Sequence, residues 1–164
     1  MAVAKPKEPV GNEPPRVSSR LTGYDQDFYT WTIEQAAALR TGQLADLDID
    51  HLAEEIEDLG KEVLSKLRSS FRVILTHMLK WDHQPERRSR SWTTSIAVHR
   101  IDIEDALTEN PALRRRQDEA VAQAYRWART KAAGEMERRD ETLPPACPYT
   151  LEEILARDFE WPDA

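Results

Sequence analysis

One long repeat of apolar residues constrains the fold of this chain more than any other feature. Nine apolar side chains recur at a mean spacing of about 3.6 residues, which is the period of an α-helix. They are Leu52, Ile56, Leu59, Val63, Leu67, Phe71, Ile74, Met78 and Trp81. A helix carrying all nine would extend roughly 45 Å. Pro85 ends it, because the residue before a proline is biased away from helical geometry. The repeat therefore predicts a long central helix over about residues 49–81.

Shorter helices are predicted before this element. Phe28 and Trp31 are spaced to share a helical face. Thr32 followed by Gln35 has the pattern of a capping box, in which two side chains satisfy free amides at a helix start. These signals predict two short N-terminal helices, the second of which stops at Gly42.

Three more helices are predicted after Pro85. The first starts near residues 89–91, and Asn110-Pro111 separates it from an alanine-rich helix that ends near Gly134. Thr150 and Glu153 form a second capping-box pattern before a last short helix. No segment shows strand alternation, so the fold class is all-α, a helical bundle.

Composition sets the domain organisation. Residues 1–22 hold four prolines among charged and small residues, which is typical of a disordered tail. The remaining residues 23–164 are enough for a single helical domain. A net charge of -7 disfavours duplex DNA as a partner. The single cysteine and the lack of an apolar leader or membrane-spanning run predict a cytoplasmic protein without a membrane contact.

The candidate site is the segment from His77 to Trp92, which combines aromatic and cationic side chains around Pro85. Its arginines can bind phosphate or carboxylate with two hydrogen bonds, and its tryptophans can stack on bases. These residues are Trp81, Arg87, Arg88, Arg90 and Trp92. The alternative is internal, because the same arginines can pair with acids of the long helix and fix the turn.

A metal site is the weaker interpretation of the same region. Glu55, His77 and His99 are residue types that bind metals in helical bundles. However, the chain lacks the Glu-x-x-His pair that supplies two ligands from one helical turn. His77, at the edge of the buried face, is therefore expected to be a hydrogen-bonded structural residue rather than a ligand or proton-transfer group. No metal and no cofactor are predicted, and no catalytic residue can be named.

Five blocks of this sequence resemble a small bacterial family catalogued as domain of unknown function twenty-nine. They are residues 24–32, residues 52–60, residues 77–92, Asn110-Pro111 and residues 147–151. The resemblance extends from about Tyr24 to Phe159. It implies a helical fold and no established activity.

The favoured function is a non-enzymatic protein-interaction module with a protein partner or a second copy of the chain. No nucleophile, base and orienting group can be assembled from the sequence. An apolar or tryptophan-bearing surface patch is then expected. The first alternative is a nucleic-acid or phosphate-binding protein that uses Arg87 to Trp92. The second is a metal-dependent enzyme around His77, Glu55 and His99.

Overall fold

The computed structural model describes residues 21–160 of the chain. This range forms five α-helices, joined by 3₁₀ turns, and contains no β-strand. The helices are α1 (Phe28–Thr41), α2 (Ile49–His83), α3 (Arg90–Glu109), α4 (Gln117–Glu135) and α5 (Leu151–Ala156). The predicted all-α fold with one long helix is confirmed. Among the described helices, none combines the length and the apolar composition that a membrane crossing requires.

The chain separates into two compact units, with the boundary between Glu54 and Glu55. The first turns of α2 belong to the first unit and the rest of this helix belongs to the second. The sequence predicts disorder for residues 1–22, of which residues 1–20 lie outside the described part of the chain. Thr22 is described, and its N–H donates to the Glu34 carboxylate at 2.6 Å. The single domain predicted over residues 23–164 stays a prediction.

A single helix, α1, stands where two short helices were predicted. The Asp27 carboxylate accepts a hydrogen bond from the Thr30 N–H and so caps the helix. Thr32, predicted to cap a second helix, lies inside α1 and donates its hydroxyl to the Tyr29 carbonyl. That prediction was wrong because Asp27 offers an earlier cap and nothing interrupts the helix after it. Gly42 ends α1 as predicted, with a φ of 72° that suits a residue without a Cβ.

Asp48 organises the first unit around Trp31. Its carboxylate accepts hydrogen bonds from the Trp31 indole N–H at 3.3 Å and from the His51 N–H at 3.4 Å. The second of these bonds caps the start of α2. The same carboxylate lies 2.7 Å from the His51 ring, which stacks on Tyr24. This contact holds the pKa of His51 above its usual value.

The apolar stripe of α2 is buried only along its later half. Leu67, Phe71 and Met78 are fully buried in the core of the second unit. In contrast, Ile56 is 66% exposed and Leu59 is 62% exposed. The prediction of one uninterrupted helix is confirmed, and the earlier half of its apolar stripe is exposed.

Helices α2, α3 and α4 lie side by side in the second unit. Ser70 of α2 meets His99 of α3, and His77 meets Trp92 further along, so these two helices are antiparallel. α4 runs parallel to α2, because Arg68 bonds to Gln123 and Lys80 bonds to Glu135. The alanine-rich face predicted for this helix is buried. It comprises Ala120, Ala124, Ala128 and Ala132.

Asp82, at the end of α2, anchors the C-terminal segment. Its two carboxylate oxygens accept hydrogen bonds from the Arg157 guanidinium at 2.9 Å and 2.7 Å. The Tyr149 hydroxyl donates to the same carboxylate at 2.8 Å. Burial acts to raise the pKa of Asp82, but the bonds from Arg157 and Tyr149 outweigh it and hold the pKa below its usual value. α5 lies between these partners and starts with the predicted Thr150–Glu153 capping box.

Asp82→Asn is expected to lower the free energy of unfolding by about 1–2 kcal/mol near pH 7, because Arg157 and Tyr149 lose their ionised acceptor. The folded pKa of Asp82 is depressed, so its contribution is complete above the unfolded value of about 3.9. It is lost as the pH falls through the folded pKa. Urea denaturation over this range measures the difference between the two proteins. Glu86→Gln, at an exposed position, is the control and should leave stability nearly unchanged. A difference that persists in strong acid would contradict this account.

Candidate functional site

The predicted site segment forms an ordered corner at the junction of α2 and α3. His77 stacks against Trp92, with ring centroids 6.3 Å apart and an angle of 27° between the rings. The Lys80 ammonium lies 4.4 Å from the Trp92 ring centroid and forms a salt bridge with Glu135 at 2.6 Å. The structure therefore brings three helices together at Trp92.

His77 has an electrostatic environment that favours its neutral form. Burial lowers the pKa of His77, and the nearby Lys80 charge lowers it further. Its Nδ1 atom is buried and has no hydrogen-bond partner among the residues that the structure describes. The expectation of a fully hydrogen-bonded structural histidine is therefore wrong for this nitrogen, since the ring is held mainly by stacking on Trp92.

The arginines around Pro85 do not form one cluster. The Arg88 Nε–H donates to the Trp81 carbonyl at 3.0 Å, and its guanidinium lies 4.8 Å from the Trp81 ring centroid. Arg87 and Arg90 are exposed. Arg88 thus fixes the turn through the backbone and the ring of Trp81. The alternative from the sequence was that these arginines pair with acidic residues of the long helix.

The two tryptophans of this corner belong to the core. Trp81 is 3% exposed and Trp92 is 8% exposed. Trp81 also packs edge-on against Phe159, with centroids 5.4 Å apart. Base stacking at this corner, one of the alternatives from the sequence, has no support from the exposure of these rings, because neither presents a free face to solvent.

The three residues of the weaker, metal-binding interpretation do not come together. Glu55 and His77 lie on the same continuous helix, 22 residues apart, which places them about 33 Å from each other. His99 is near His77 but not near Glu55, since it bonds to Ser70. No group of three or more potential ligands occurs among the side chains that the structure describes.

Ser70, His99 and Asp102 meet in an arrangement that the sequence did not reveal. The His99 Nδ1 atom lies 3.3 Å from the Ser70 hydroxyl and 2.9 Å from the Asp102 carboxylate. Both partners therefore use the same ring nitrogen. A catalytic triad instead needs the nucleophile at one nitrogen and the carboxylate at the other. The three residues form a polar contact between α2 and α3 and not a proton relay. Only the i, i+3 spacing of His99 and Asp102 could have indicated part of it.

A groove between α2 and α3 adjoins this contact. Half-buried Ala106 and the buried Leu67 give it an apolar lining, and its volume is about 540 Å³. Its rim carries four carboxylates and one ammonium group, those of Glu62, Asp102, Asp105, Glu109 and Lys66. Lys66 pairs with Glu62 at 2.9 Å. The groove therefore combines apolar surface with a strongly negative rim, and the sequence analysis did not identify it.

Comparisons with known proteins place the chain in one family. Residues 23–160 match the family described as Domain of unknown function DUF29. Neither the search of curated proteins nor the search of solved structures gave a match.

His77→Phe is expected to make stability less sensitive to acid. The folded pKa of His77 lies below the unfolded value of about 6.5, so its protonation favours the unfolded state. The wild-type protein therefore loses stability as the pH falls from about 6.5 through the folded pKa. Urea denaturation at several pH values should show a steeper decline for the wild type than for the variant. Equal slopes, or a His77 ring that titrates above free imidazole by NMR, would contradict this assignment.

Proposed function

The chain belongs to the DUF29 family, whose description names no activity, and we propose that it is a non-enzymatic protein-interaction module. Its binding surface is the groove between α2 and α3. The observation that carries the proposal is the union of an apolar lining, in which half-buried Ala106 lies beside the buried Leu67, with an acidic rim.

The apolar surface of the groove extends along α2. Leu59 and Val63 follow each other on the stripe that leads into buried Leu67. Leu59 is largely exposed and Val63 is half-buried, although their stripe is core further along the helix. An apolar row of this kind that ends beside a groove is typical of a surface that receives an amphipathic helix.

The charge of the rim defines the partner. Asp102, Asp105 and Glu109 recur along one face of α3, and Glu62 faces them from α2. A partner with acidic flanks would meet like charges, whereas lysines or arginines beside its apolar residues would meet carboxylates. The proposed occupant is thus an amphipathic segment of a partner protein with a basic border.

An enzymatic role has less support from the same residues. His99 contacts Ser70 and Asp102 through one nitrogen, so it cannot take a proton from one while being oriented by the other. Nucleic-acid binding at Arg87 to Trp92 also lacks support, because Trp92 is buried. The interaction role therefore remains the best account of the second unit.

Replacing Asp105 and Glu109 with lysine is expected to weaken binding of a basic amphipathic helix about 10-fold or more. The probe is a labelled leucine–lysine peptide of ~14 residues, and fluorescence anisotropy measures its affinity. The physical reason is the reversed sign of the rim. A leucine–glutamate peptide of the same length should not bind the wild type.

Glu57→Lys with Asp58→Lys is the matched control, because it changes the net charge equally at exposed positions outside the groove. It should leave the affinity nearly unchanged. If both double variants weaken peptide binding equally, the effect comes from the overall charge of the protein and the proposal is overturned. Absence of binding to the wild type would overturn it as well. Measuring the size of the protein in solution without peptide shows whether a second copy of the chain occupies the groove.

A further inference from the structure

A second surface, between α2 and α4, has the opposite character to the groove. Its centre is Trp127, which is 45% exposed. The Arg72 guanidinium from α2 lies 5.5 Å from the centroid of this ring. We call this region the Trp127 surface, and it consists of Arg68, Arg72, Arg126, Trp127 and Arg129.

Two guanidiniums of this surface donate to neutral acceptors. Arg68 donates to the Gln123 side chain at 2.7 Å, and the Arg129 Nε–H donates to the Leu143 carbonyl at 3.3 Å. None of the four arginines forms an ion pair with a carboxylate among the side chains that the structure describes. The Nε atoms of Arg68 and Arg72 are buried and have no hydrogen-bond partner among these residues.

The Trp127 surface lacks these carboxylate partners although the chain offers many acids. The protein has 30 acidic and 23 basic side chains, so acids are in excess. Some cations elsewhere use them, as in the pairs Lys80–Glu135, Arg116–Glu119 and Arg157–Asp82, whereas Arg88 and Arg100 donate to backbone carbonyls. A purely structural arginine gains most from a carboxylate partner. Four guanidiniums that share one surface without such a partner leave their remaining donors for an external anion.

A cleft beside Trp127 offers room for that anion. It has a volume of about 460 Å³, which lies within the range of about 300–1,000 Å³ for small-molecule sites. Its lining residues are Gln123, Arg126, Trp127, Arg129, Thr130 and Pro145. The lining contains two cations, no carboxylate, one exposed aromatic ring and neutral hydrogen-bonding groups.

We propose that the Trp127 surface binds nucleotide units, with a base on the exposed part of the Trp127 ring and phosphate oxygens on Arg126 and Arg129. Arginine forks hold phosphate oxygens with two hydrogen bonds, and an aromatic ring stacks on any base. The ligand is either a free nucleotide or a stretch of single-stranded nucleic acid, since both present this chemistry. The site lies apart from the groove between α2 and α3 and does not depend on its function.

Two nucleotide probes and one acidic peptide test the proposal. They are adenosine monophosphate, an oligoadenylate of about 12 nucleotides and an oligoglutamate of equal charge. Tryptophan fluorescence and anisotropy measure binding. For a single strand with three or four phosphate contacts, affinity should fall about 20- to 50-fold between 50 and 200 mM salt. If adenosine monophosphate binds and the oligoadenylate binds no more tightly, the ligand is a free nucleotide. Oligoglutamate binding as tight as oligoadenylate overturns the proposal, as does no binding of either nucleotide probe.

Variants separate the surface from overall charge. Trp127→Ala is expected to lower affinity about 10-fold, through loss of stacking. The double variant Arg126→Gln with Arg129→Gln should lower the affinity by more than Trp127→Ala does, through loss of phosphate contacts. Arg114→Gln with Arg115→Gln removes equal charge from an exposed 3₁₀ turn and is the matched control. Circular dichroism checks each fold, and the exposed Arg126→Gln alone replaces any variant that unfolds. If the control pair weakens binding as much as the Trp127 surface variants, the proposal fails.

Discussion

The second unit depends on the parallel pairing of α2 with α4 at a constant offset of 55 residues. Arg68 meets Gln123, Arg72 meets Trp127, and Lys80 meets Glu135. Three contacts at one offset over three turns of helix indicate that the two axes stay nearly aligned. The buried alanines of α4 permit this alignment, because small side chains let helices approach closely without steps in the interface. α3 runs antiparallel beside α2 and completes the core.

The sequence predicted the elements well, because helix period and helix stops are local properties. The long helix was placed at residues 49–81 and is observed at Ile49–His83, since both the apolar period and Pro85 act within a few residues. The extent to which the stripe is covered was not predicted. Periodicity shows that Ile56 and Leu59 share a face with Phe71, but it does not show how far neighbouring helices reach along that face. The misplaced cap at Thr32 has a similar cause, since a local pattern cannot tell which of two competing caps is used.

The functional role of the segment from His77 to Trp92 stays a prediction. The segment from His77 to Trp92 does form an ordered corner with stacked rings. However, a tryptophan between cations looks the same in sequence whether it stacks on a ligand or fills the core. The Trp127 surface and the groove were missed, because each joins residues from two helices that lie far apart in the chain. The 55-residue offset between Arg72 and Trp127 leaves no trace in local spacing.

Charge is separated across the two flanks of α2, which changes what the net charge of the chain implies. Glu62 lies on the flank that faces α3, beside the acidic residues of that helix. Arg68 and Arg72 face α4, where no carboxylate among the described residues pairs with them. Electrostatic screening limits the reach of exposed charges to about 10 Å at ordinary salt. A ligand therefore responds to the flank it touches more than to the total of -7. The acidic average excludes neither a basic partner at the groove nor an anionic ligand at Trp127, and the two can bind without competing for the same charges.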